Sequence, residues 1–140
     1  NQMTVSIQSN SVQGGRPFDP ATFIGATAIA TVLNLLIFWV GKSAGAAMTL
    51  ESGAYDTITW TMVGSATLVA LALGGIVTWI VSPRWPKFFR IALWGGLAVA
   101  LVSLASPFVV ADDIRTAVSL AAMHVVGATA WFFGLQATRR

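Results

Sequence analysis

Apolar residues run almost without a break over 21–40, 58–81, 91–110 and 117–135, and polar residues gather between and outside these stretches. Each stretch holds roughly the 20 residues that a helix rising ~1.5 Å per residue needs to cross a hydrocarbon core ~30 Å thick. Lipid offers no water to an unpaired amide, so a chain this apolar must pair its peptide groups inside helices, which excludes strands and irregular loops over these stretches. A water-soluble bundle is excluded too. It would need a polar stripe at helical spacing on every helix, yet 68–80 and 91–102 carry no charge. The pattern predicts an all-α fold, a transmembrane four-helix bundle in one domain over 21–140, with helices near 21–40, 58–81, 91–110 and 114–135.

Residues 1–20 read as a flexible polar tail rich in Ser, Gln, Asn and Gly, lacking the basic start and short apolar core of a signal peptide. Asn1 and Gln2 precede Met3, which reads as the natural start. Asp19 and Pro20 are expected to cap and open the first helix.

Composition agrees with a bundle solvated by lipid: hydrophobic residues make up 56% and charged residues 9%, against about 25% charged in a soluble domain. The absence of cysteine removes disulfides and thiolate chemistry. The net charge of +3 flanks the helices and forms no basic face, so nucleic acid is excluded as a partner. Arg16, Arg84, Lys87, Arg90, Arg139 and Arg140 fall on one side of the membrane, and Lys42 and Arg115 on the other. Cations favour the cytoplasm, so both termini and the 82–90 loop are expected inside. Four acids, Glu51, Asp56, Asp112 and Asp113, then lie outside, where the last two cap the fourth helix.

The prolines, aromatics and cations of 82–90 suit a segment lying among lipid headgroups. Trp39 and Trp60 are expected in the outer aromatic belt, and Trp79, Trp94 and Trp131 in the inner one. The long outer loop over 41–53 reads first as a surface Ω-loop, and alternatively as a segment folded back on the bundle.

Two patterns inside the helices invite a role. Ala66, Ala70, Gly74 and Thr78 recur every four residues on the second helix, and Ala92, Gly96 and Ala100 on the third, which predicts smooth helix-packing stripes. His124, the single histidine, falls near the middle of the fourth helix, where an ionisable side chain should face protein. Thr27, Thr31 and Asn34 share a face of the first helix, and Asn34 lies about one helical turn from the depth of His124, so Asn34 is the first partner expected for a neutral His124, with Ser119, a threonine or a backbone carbonyl as the others. With Ser119 these form a candidate intramembrane polar site, structural by default and a proton or ligand path in the alternative. One histidine with no cysteine supplies too few ligands for a metal or haem, even with Met62 or Met123 as an axial ligand, so no cofactor is expected. No serine has a base placed beside it except through His124, and Asp112 and Asp113 point apart at a helix start, so no catalytic group is assigned.

Three segments together carry a resemblance: Asn34 to Gly45 (NLLIFWVGKSAG), Leu101 to Pro107 (LVSLASP) and Leu120 to Gly127 (LAAMHVVG). In this order along four helices, the chain resembles an uncharacterised family of small four-helix membrane proteins of high-GC Gram-positive bacteria, over about 21–135. The resemblance implies a bacterial plasma membrane protein with Asn34 and the Met123–His124 pair at the family's polar positions, and it implies no activity. The bulky Trp131-Phe132-Phe133 departs from the smaller aliphatic residues expected there and counts against a shared inner cavity. The expectation is a non-enzymatic accessory or structural subunit or small binding module. Its surroundings are the lipid bilayer, and its partners are other membrane subunits or further copies of itself. The alternative is a transporter or channel component built around His124 and Asn34.

Overall fold

The computed structural model describes residues 18–51 and 56–138. The expected tail over 1–17, and Gly53, Arg139 and Arg140, lie outside them. The described chain forms α1 (Pro20–Ser43), α2 (Trp60–Val81), α3 (Pro86–Ser103), the single turn α4 (Pro107–Val110) and α5 (Ile114–Ala137). Four spans are long and apolar enough to cross a membrane, with α3 and α4 together forming the third, Pro86–Val110.

Capping residues set most of the starts. Asp19 accepts from the amide of Ala21 ahead of Pro20, Thr59 from Met62, and Asp113 from Thr116, each satisfying an amide that a helix start leaves free. The third span is not the single helix over 91–110 that hydropathy suggests. It begins earlier, at Pro86, and is interrupted at 104–106. Pro107 has no amide hydrogen, and its ring would strike the Ser103 carbonyl in a continuous helix. The amides of Leu104, Ala105 and Ser106 turn to carbonyls three residues back, and the serine side chains add bonds of their own: Ser103 Oγ donates to Val99 O and Ser106 Oγ to Ser103 O.

The helices pack mainly as α1 against α5, α2 on α1 and α3 on α5, with α2 and α3 touching far less. Glycines let α1 approach its neighbours. The ring of Phe23 occupies the space where Gly75 lacks a Cβ, Gly41 faces Ser119, and Gly134 faces Phe23 and Ala26. Phe23, Phe89, Leu93 and Leu135 make one apolar cluster; Phe38, Ala46, Met48, Val63 and Met123 make another at the opposite end. Outward faces stay apolar, with Ile29, Val69, Leu73 and Val102 all more than half exposed, as a lipid-solvated surface requires.

The loop after α1 folds back on the bundle and is not a free surface Ω-loop. Met48, in a left-handed conformation (φ 59°), is fully buried, and its amide donates to Thr116 Oγ1 (2.9 Å). Ala47 N donates to Asp113 Oδ2, Arg115 donates to Ala44 O, and backbone bonds join Glu51 to Val110 and Asp112 to Thr49. These contacts stitch the start of α5 to the end of α1. At the other end, Asp19 N donates to Thr138 O, which places the first and last described residues on one side.

A candidate apolar cleft between α2 and α3

Because α2 and α3 barely meet, a cleft of about 620 Å³ opens between them. Ala66, Ala70 and Gly74 line one wall, and Gly96, Val99 and Ala100 the other. Met123, His124 and Gly127 of α5 lie along it, and Asn34 joins from α1. The expected packing stripes divide: Gly74 and Gly96 pack against Trp131 and Thr78 is buried, while the other small residues of the α2 stripe face the cleft. Ala66 and Ala70 are exposed and line the cleft, and no neighbouring backbone rests on them. Close packing of small residues needs an opposing helix, and α3 leans on α5 instead.

Trp131 fills the inner end of the cleft. A methyl group at Gly74 or Gly96 would overlap its indole ring, so the two glycines are small to admit that ring from both walls. Its Nε1 donates to Ala92 O (3.0 Å) and, more weakly, to Leu93 O (3.3 Å), and Phe23 meets it edge to face (5.9 Å, 87°). The placement of Trp131 in an aromatic belt is therefore corrected: it faces the bundle, whereas Trp39, Trp60, Trp79 and Trp94 are about half exposed. The outer end is bounded by Ile58, Met62 and Leu120, beside the buried Met48 cluster.

The polar site divides. Asn34 and His124 both line the cleft, but each takes another partner than its counterpart: Asn34 a threonine of α2, and His124 a backbone carbonyl, one of the partners expected for it. Asn34 Nδ2 donates to Thr67 Oγ1 (2.9 Å), and Thr67 passes its own proton to Val63 O (2.8 Å). That second bond fixes the amide orientation, because a hydroxyl already donating to a carbonyl must accept from Asn34. Asn34 Oδ1 is left buried with no partner, on a residue only 4% exposed. His124 Nδ1 lies 2.8 Å from Leu120 O on its own helix. A carbonyl only accepts, so Nδ1 carries a proton, and in that tautomer Nε2 is an acceptor.

The remaining expected members lie elsewhere. Thr27 and Thr31 are buried on α1 outside the cleft, and Thr31 Oγ1 donates to Thr27 O. Ser119 Oγ donates to Arg115 O and rests against Gly41. Such backward bonds to the carbonyl four residues earlier let a hydroxyl remain in an apolar helix without a partner helix. Sequence reasoning missed Thr67, although it lies within about two turns of the helix start, like Asn34 from the opposite end of α1, which puts both at a comparable depth. Among the described residues no three His, Cys, Asp or Glu side chains come together.

Four spanning helices around a laterally open, apolar cleft define a multi-pass membrane bundle. The chain belongs to DUF6069, a family of unknown function whose model matches residues 16–140. Comparison with curated proteins and with solved structures finds no match.

Proposed function

We propose that this is a non-enzymatic binding module of a bacterial plasma membrane, which admits an apolar, membrane-dissolved ligand sideways between α2 and α3. The observation that carries the reading is the cleft itself. It is about 620 Å³, within the range of sites for small molecules, and apolar with a few polar groups at one level. Its small side chains leave room where a tightly packed bundle would have none. The accessory-subunit reading is compatible, since a module of this size can serve a larger assembly. A conduction path gains less support: Thr27 and Thr31 lie outside the cleft, and Trp131 fills its inner end.

The reading is tested with a diazirine-bearing alkane in vesicles. Labelling of the cleft segment around Met62 to Gly74 should saturate as probe is added, as a site does, while labelling at lipid-facing Ile29 rises linearly. Linear labelling at both would overturn the binding reading.

The orientation follows from Arg84, Lys87 and Arg90 flanking one turn while the acids Glu51, Asp56, Asp112 and Asp113 gather at the other side. In the cysteine-free chain, an impermeant thiol reagent should label Glu51→Cys but not Lys87→Cys in intact cells. The reverse pattern would invert the topology.

A further inference from the structure

The cleft carries two acceptors and no donor to satisfy them. Asn34 Oδ1 has no partner, and the Thr67–Val63 bond prevents the amide from turning its NH2 toward the gap without losing the hydrogen bond to Thr67. His124 is half-buried on the cleft wall, and with Nδ1 bonded to Leu120 O its Nε2 is left to accept from a ligand. The walls beside them, Ala66, Ala70, Val99 and Ala100, offer no hydrogen bond from a side chain. A buried acceptor without a donor, as at Asn34 Oδ1, is uncommon in folded proteins and marks a place where a donor belongs.

We infer that the ligand is an apolar molecule whose polar end is a hydrogen-bond donor, a hydroxylated lipid of the long-chain alcohol or phenol kind, with its hydroxyl donating its one proton to His124 Nε2 on the stretch of cleft that Asn34 also lines. This rests on the binding reading above and specifies its chemistry. An ester, ether or ketone of the same length offers only acceptors, which would face acceptors and add nothing. A carboxylate would bring a negative charge to two lone pairs with no cation among the lining residues, so it is disfavoured. The geometry divides the labour: the hydrocarbon body lies along the small-residue walls, and Trp131 limits how far it extends inward.

The test uses a matched pair of photoreactive probes in vesicles, a diazirine-bearing dodecanol and its O-methyl ether, which differ only in the donor. The wild-type protein should require about tenfold less alcohol than ether for half-maximal labelling of the cleft, the effect of one buried hydrogen bond. His124→Phe keeps a ring of similar size and removes Nε2, so it should erase most of that preference while leaving saturable labelling by both probes. Gly127→Leu fills the cleft at a position where an added Cβ meets nothing within 4 Å, so it should abolish saturable labelling by both. Equal labelling of the wild type by alcohol and ether, lost in Gly127→Leu, would overturn the donor inference and leave the binding reading standing. Labelling that ignores Gly127→Leu would overturn both. The comparison of probes in the wild type needs no variant to fold.

Discussion

At the scale of single residues, the least expected feature is the indole of Trp131. Its sequence position near a helix end suggested a belt residue, because depth is legible in a sequence and the direction a side chain faces is not. The signal that was present lies in Gly74 and Gly96, whose missing Cβ atoms turn out to admit that ring. Replacing Gly96 by Ala should destabilise the protein by about 1–3 kcal/mol through overlap with the ring. The same change in a Trp131→Leu background should cost much less, because the overlapping atoms are gone. Thermal unfolding in detergent reads the coupling, and additive costs would show that glycine and indole do not meet. Asn34 and His124 were legible as polar residues at similar depth, and a backbone carbonyl was among the expected partners of His124, but Thr67 as the partner of Asn34 was not legible. A side chain four residues along its own helix, or one on a different neighbour, competes equally well for each hydrogen bond.

Among the elements, the four spans were legible from hydropathy because lipid imposes both their length and their composition. The break before Pro107 and the folded-back outer loop were harder to read, since each depends on contacts made after folding. That loop is fastened to Asp113, whose carboxyl is held below the ordinary aspartate value of 3.8, chiefly by the Thr116 hydroxyl, then by the Thr116 amide, with Ala47 N adding to the effect. Its folded-state pKa is depressed, so the stabilisation is present above the unfolded value and lost as pH falls through the folded one. Acidification below about pH 4 should therefore loosen the loop at the start of α5. Asp113→Asn should remove that pH dependence and lower the melting temperature at neutral pH. A wild-type melting curve with the same acid sensitivity as the Asn variant would contradict this role.

For the whole molecule, the sequence predicts which segments cross the membrane but not which of them touch. A regular square of four helices would have buried the small stripes of α2 and α3 against each other. Instead α1 and α5 form the centre, and only 11% of the third span's most apolar window is buried, against 33% for the first. The cleft is the result of that asymmetry, and so is its opening toward lipid. Sequence analysis had no means of finding it, because residues that line a gap and residues that line a contact are the same small side chains. The claim that the gap is a site is tested most directly by photolabelling the wild type and Gly127→Leu in parallel with a diazirine-bearing alkane. The account predicts saturable labelling of the segments carrying Ala66, Ala70 and Val99 in the wild type, and its loss in the variant with the melting temperature unchanged. Labelling of these segments that rises linearly with probe and is the same in both proteins would show that the cleft holds only bulk lipid, and would contradict the account.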